Sequence, residues 1–208
     1  MLEVSWLLFI VTSLVVIVTP GQDMILVMSR SLTQGSSAGV VTAAGVSIGL
    51  IGHTILVTLG LGAILRTSEW LFLALRLFGA AYLIYLGIAL VCTKKGKLAL
   101  GVATQSSYLK LFLDGCLSNI LNPKIAIFYF AFLPQFVHPN TTHTTLVIMG
   151  LGIIFAILTF LVKALIGLFA GFLSGWLRRR LNVLAWLYRF SGVVLLGLGV
   201  KLAFERRV

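Results

Sequence analysis

The chain has 208 residues, 60% of them hydrophobic and 10% charged, with a formal charge of +11 and a mean hydropathy of +1.11. Soluble domains carry about 25% charged residues, so too little polar side chain is present to cover a water-soluble fold, which excludes an ordinary soluble enzyme and a disordered chain. The 16 Lys and Arg are scattered between long apolar runs, which excludes a nucleic-acid-binding face as well.

What remains is a polytopic membrane protein. A helix needs roughly 20 apolar residues to cross a bilayer core of about 30 Å, and lipid offers no partner to unpaired backbone, so such runs read as helices. Six appear in chain order, at about 4–28, 39–65, 69–92, 108–134, 144–172 and 184–204. Polar stretches at 29–37, 66–68, 93–107, 135–143 and 175–182 separate them. The expectation is an all-α fold, a single transmembrane domain over 1–208. It divides into a first half (1–92), a basic cytoplasmic connection (93–107) and a second half (108–208). Glu3 is the only charge near the start, unlike a signal peptide's basic lead, so the first run reads as a retained span.

The first span holds Thr19-Pro20-Gly21-Gln22-Asp23 and the fourth holds Leu121-Asn122-Pro123-Lys124, the two prolines lying 103 residues apart. Pro20 cannot donate to the carbonyl of Val16, nor Pro123 to that of Asn119. Gly21 lets the backbone leave helical geometry. Freed carbonyls can hold an ammonium group, and the half-helix after each break offers its positive end to an anion. A zwitterion such as an amino acid suits both. One proline alone is better read as a simple kink; two at matched places favour a designed break. Three spans per half make the halves inverted relative to one another, a plan of secondary transporters.

A carboxylate at membrane depth is costly and usually functional. Asp23 can pair with a substrate ammonium or carry a coupling proton, and Gln22 supplies an amide beside it. The competing reading is a structural ion pair, or a span that ends before Asp23. Lys124, next to the second break, is the better candidate for a carboxylate contact. Arg76 in the third span, near an end, can serve as a snorkelling anchor. Asp114 in the fourth span reads as an interfacial cap. Lys163 in the fifth has no local partner and can face Asp23 or Asp114 across the bundle. The candidate substrate-binding residues are thus Pro20, Gly21, Gln22, Asp23, Asn122, Pro123 and Lys124, with Arg76, Asp114 and Lys163 as charge partners. His53 reads as a packed, hydrogen-bonded histidine. Gly45 and Gly49 form one GxxxG, Gly167, Gly171 and Gly175 a double one, for close contact within the bundle or between subunits of a homo-oligomer.

Loop charges set orientation. Arg30, Lys94, Lys95, Lys97, Lys110, Arg178, Arg179, Arg180 and Arg189 fall on one side, against Arg66, Lys201, Arg206 and Arg207 on the other. The richer side is expected in the cytoplasm, with both termini outside. Cys92 and Cys116 form neither a CxxC nor a metal-ligand spacing, and no nucleotide-binding GxxxxGK[ST] run occurs. No metal or other cofactor is expected, and no enzyme activity. Expected partners are a small-molecule amino-acid substrate, protons and the bilayer, not nucleic acid.

Three stretches together resemble the lysine exporter (LysE) superfamily, in its homoserine/threonine-resistance (RhtB) branch. They are Thr19-Pro20-Gly21-Gln22-Asp23, Gly79-Ala80-Ala81-Tyr82-Leu83-Ile84-Tyr85-Leu86-Gly87 with Arg76 just before it, and Asn122-Pro123-Lys124 through Phe132-Leu133-Pro134-Gln135-Phe136. The resemblance covers nearly the whole chain. It implies six spans in the plasma (inner) membrane, export of small amino acids or related metabolites from the cytoplasm, and coupling to the proton gradient. Gln22 replaces a proline usual in that branch, and Asp114 and Lys163 are departures from it, which point to a substrate other than its usual neutral amino acids. The alternatives from the residues alone are a membrane redox or metal-ion transport protein on a similar six-helix plan, and a structural membrane subunit without transport.

Overall fold

The computed structural model describes residues 6–19, 21–67, 69–92, 105–137, 141, 143–170 and 181–204. Among the described residues are eight α-helices: α1 (Trp6–Val18), α2 (Gln22–Gln34), α3 (Ser36–Thr67), α4 (Glu69–Val91), α5 (Tyr108–Ile120), α6 (Pro123–Phe132), α7 (Thr144–Leu168) and α8 (Leu181–Phe204). A single 3-10 turn, Leu133–Phe136, follows α6. Each apolar run of the sequence becomes a helix or a broken pair of helices. Two helices, Ser36–Gly60 within α3 and Thr144–Leu168, are long and apolar enough to cross a membrane, and α1 with α2 makes a third span if taken together. At about 1.5 Å per residue, the 13 residues of α1 and the 13 of α2 reach about 20 Å each. Neither crosses a bilayer alone. Their axes turn by 55° at the break between them.

Helix ends depart from the sequence reading where polar residues pack instead of facing water. The stretch 29–37 was expected as a loop, yet α2 runs through Gln34. Ser31 faces inward and its hydroxyl donates to the carbonyl of Gly167 on α7. Gly35 alone turns the corner into α3, at φ +91°, a backbone state that suits glycine. Its N–H bonds the Ser31 carbonyl at 2.9 Å.

The helices pair as α3 with α7, α3 with α5 and α4 with α8. Glycines set these contacts, as membrane helices need because apolar burial gains little against lipid. Gly45 and Gly49 press α3 onto α5, against Phe112, Cys116 and Asn119, so this GxxxG works inside the chain. Gly167 lies on Gly39, while Gly171 and Gly175 fall outside the described residues. Gly87 of α4 meets Gly192 of α8.

The two ends of the bundle are distinct. At one end the α2–α3 corner meets the start of α5 and the end of α7. Gln34 donates to the Ser106 carbonyl at 3.2 Å and Ser36 to the Leu168 carbonyl at 3.1 Å. At the other, Phe9 of α1 meets Phe136, ring centroids 5.2 Å apart, and Phe132 stacks on Phe128 and meets Phe136 edge to face, at 4.6 Å from each.

Candidate functional site

The two breaks meet. The first leaves Thr19 and Gly21 outside helices, with Pro20 outside the described residues; the second leaves Leu121 and Asn122. Gly21 is the N-cap of α2 and provides no side-chain cap, so the first N–H groups of α2 stay available. Pro123 is the first residue of α6, where its missing N–H costs nothing. The Asn122 side chain caps that helix, accepting from the Lys124 N–H at 3.1 Å. The second break is therefore a helix stop and restart rather than a bend inside one helix.

Asp23, in the first turn of α2, is 3% exposed. Its Oδ2 accepts from Asn119 Nδ2 at 2.8 Å. Its Oδ1 accepts from Ser118 Oγ at 3.1 Å and Asn122 Nδ2 at 3.4 Å. Lys163 Nζ of α7 lies 4.0 Å from Oδ2, and both side chains are sealed from solvent. A carboxylate has about four acceptor sites, and here three take hydrogen bonds while Lys163 stands at ion-pair distance. Asp23 thus ties the first break to both sides of the second.

The carbonyl of Asn119, which Pro123 cannot serve, accepts from the Asn122 N–H at 2.9 Å and lies 3.1 Å from His53 Nε2. A carbonyl only accepts, so His53 donates from Nε2. The imidazole, 3% exposed, also rests on the Tyr129 ring at a centroid distance of 5.7 Å. This is the packed, hydrogen-bonded histidine expected from the sequence, with the Asn119 carbonyl as its partner. His53→Ala is expected to cost about 0.5–1.5 kcal/mol, one hydrogen bond to a carbonyl that keeps its Asn122 partner, read as a lower melting temperature of the purified protein. A melt unchanged from the parent would mean that the Asn122 N–H alone satisfies Asn119.

Around these groups lies a cavity of about 20 Å³, lined by Gly21, Gln22, Asp23, Asn122, Lys124, Thr159 and Lys163 among others. That is room for about one water, so a larger ligand needs the helices to part. Five of the seven substrate-binding candidates, Gly21, Gln22, Asp23, Asn122 and Lys124, line it; Pro123 starts α6 without lining it, and Pro20 lies outside the described residues. The Lys124 ammonium reaches back over the first break, 3.8 Å from where a β-carbon on Gly21 would sit. Among the described residues no anion reaches that ammonium within an ion-pair distance.

Thr159 was not among the candidates. It sits one helical turn before Lys163, on the same face of α7. It is 2% exposed, and its hydroxyl has no hydrogen-bond partner among the described residues. A polar residue four positions before a buried lysine is the signal that was there to read.

Asp114, expected as an interfacial cap, instead pairs with Arg30 of α2 at 2.9 Å. Between α2 and α5 an open cleft of about 550 Å³ runs from this pair to Gln22 and Ser118, and Gln22 lines the cavity as well. Arg76 falls on α4, and its side chain lies outside the described residues. Cys92 is exposed, Cys116 is half-buried, and both are free. Among the described residues no three His, Cys, Asp or Glu side chains converge as a metal site would require.

Apolar helices broken where buried charges converge are the architecture of a membrane transporter. The LysE type translocator model matches residues 14–206, and the chain belongs to that family, whose members are exporter-type membrane transporters rather than enzymes. The chain is similar to the uncharacterized membrane protein YrhP of Bacillus subtilis, 29% identical over 95% of this chain and 97% of the relative. It is also similar to an uncharacterized membrane protein of Pseudomonas aeruginosa, 31% identical over 90% of this chain and 89% of the relative. A third such protein, from Vibrio cholerae, is 29% identical over 95% of this chain and 96% of its own length. No solved structure matches the chain.

Proposed function

We propose that this protein is a secondary exporter of small amino acids or related metabolites, driven by the proton gradient across the plasma (inner) membrane. One observation carries the reading. Two lysines and one carboxylate line the buried cavity, and the carboxylate is already engaged. Lys124 therefore has one positive charge to offer, and a charge left alone at membrane depth is costly. A substrate carboxylate supplies the missing anion, held by Lys124 and the uncapped start of α2. The substrate ammonium goes to oxygens: the Thr159 hydroxyl, and the Val16 carbonyl that Pro20 cannot serve. This moves the ammonium contact away from Asp23, which already takes three hydrogen bonds and faces Lys163. Asp23 keeps the coupling role, because protonating it releases Lys163.

The layout in this proposal is six spans in two inverted halves with both termini outside. The pairing of α3 with α7 and of α4 with α8, second with fifth run and third with sixth, supports it. So does the gathering of the α2–α3 corner, Ser106 and Leu168 at one end, the end of the basic connection 93–107. By the loop charges that end is cytoplasmic. The cleft opens there, and the aromatic stack from Phe128 to Phe136 closes the other end. The RhtB branch of the family is part of the same proposal.

Inverted membrane vesicles carrying the protein are expected to accumulate at least one radiolabelled amino acid when a proton gradient is imposed. Lys124→Gln is expected to cut the initial rate about 10- to 150-fold, the equivalent of a charged hydrogen bond at about 1.5–3 kcal/mol. Uptake by Lys124→Gln at the parent's rate would remove the carboxylate assignment.

A further inference from the structure

Among the described residues two ion pairs lie in series along α2. Asp23 with Lys163 is sealed, with side chains 5% and 8% exposed, while Arg30 with Asp114 is 13% and 30% exposed. Seven residues separate Asp23 from Arg30, about 10 Å of helix. One face of α2 (Gln22, Ile25, Leu26, Ser29, Arg30) and one face of α5 (Asp114, Leu117, Ser118, Leu121) form the walls between them. The walls are mostly apolar, with a few polar groups at the two ends, in a cleft of about 550 Å³. That size and lining are typical of small-ligand sites. At its inner end Ser118 donates to Asp23, so the cleft leads to the buried carboxylate.

We infer that Arg30 and Asp114 form an entry site for zwitterionic amino acids, at which the pair opens and its two charges are taken over by the substrate's carboxylate and ammonium. At 13% and 30% exposure this pair is open to solvent where Asp23 with Lys163 is sealed, so it is the one of the two that a ligand can reach. Arg30 keeps a second contact to Ser106 Oγ at 3.4 Å, which holds the guanidinium at the mouth when Asp114 lets go. The planar guanidinium suits a carboxylate in a two-pronged contact, and Asp114 takes the ammonium. An amine or a carboxylic acid alone can replace only one partner and strands the other. The pair therefore selects molecules carrying both charges before they reach Lys124. This inference rests on the exporter reading and adds a second, outer site to it.

The test uses Leu117→Cys, in the cleft wall, with Cys92→Ser and Cys116→Ala, in inverted vesicles. Its alkylation by a membrane-impermeant maleimide is timed with glycine, alanine, threonine, lysine or glutamate present, each alone, and with propylamine or propionate as single-charge controls. Uptake of the same amino acids is measured in parallel. An amino acid that is taken up is expected to slow alkylation at least about threefold, and the single-charge compounds to leave it unchanged. The protection is expected to survive Lys124→Gln and to vanish in Arg30→Gln and in Asp114→Asn. The exchanged pair Arg30→Asp with Asp114→Arg separates recognition from folding: it is expected to melt like the parent while its KM for uptake rises at least about tenfold. Full transport by the exchanged pair would make Arg30 and Asp114 a strut and overturn the inference, as would equal protection by propylamine or propionate. Uptake without protection overturns the entry site and leaves the exporter standing. Neither uptake nor protection with any of the five amino acids overturns both.

Discussion

Asp23→Asn is expected to destabilise the protein by about 3–5 kcal/mol, because it removes the anion from a lysine that stays buried. Lys163 is 6% exposed, and its partner in an ion pair is Asp23 at 4.0 Å. The amide also replaces one acceptor oxygen with a donor, which then faces either the Ser118 hydroxyl and the Asn122 amide, or the Asn119 amide and Lys163, groups that themselves donate. Both effects lower the melting temperature of the purified protein in detergent. Asp23→Asn combined with Lys163→Met, which leaves no unpaired charge, is expected to recover most of the loss. Proton-driven uptake is not expected to return with it, because no titrating carboxylate is left in the cavity. A double variant that melts and transports like the parent would reduce the pair to a packing device. A single variant that melts like the parent would show that Lys163 is satisfied by something other than Asp23.

The breaks and their chemistry were legible because proline and glycine act on the backbone wherever they stand. Pro20-Gly21 and Asn122-Pro123 announce interrupted helices before any neighbour is known. Asp23, Lys124 and Lys163 were legible for a related reason: charge inside an apolar run is expensive and draws notice. The partners were not legible. Nothing in the order of residues says that Asp23 accepts from Ser118, Asn119 and Asn122 at once, because those contacts depend on how two distant breaks dock. Asp114 and Arg30 failed for the opposite reason. Each sits near the end of an apolar run, where a charge needs no partner and a water-facing reading is the cheaper one. The pairing follows from α2 continuing through Gln34, which places Arg30 inside a helix beside α5. The loop expected at 29–37 rested on the polarity of Ser29, Ser31 and their neighbours. In a bundle held by small residues, serine belongs equally to a helix interface.

That same dependence on small residues fixes the last expected result. Gly45→Ala is expected to cost about 2–3 kcal/mol, the scale of overpacking in a tight core, and to abolish transport. A β-carbon at Gly45 falls on the carbonyl oxygen of Phe112, with the Cys116 nitrogen 3.1 Å away. One at Gly115 falls on the carbonyl of Thr42, with the Val46 nitrogen at 3.0 Å. These neighbours are backbone, which cannot rotate aside, so α3 and α5 must separate. Helix α5 carries Asp114, Ser118 and Asn119, so a shift of α5 moves the cleft and loosens the cap on Asp23 together. Gly150→Ala and Gly197→Ala are the controls, since a β-carbon at either meets nothing within 4 Å. Both stand in helices, where alanine is favoured over glycine by about 1 kcal/mol, so neither is expected to destabilise. Melting temperatures in detergent and uptake into proteoliposomes check all three. Gly45→Ala melting alongside Gly150→Ala would mean that α3 and α5 do not touch backbone to backbone. The cleft would then owe its shape to side chains alone.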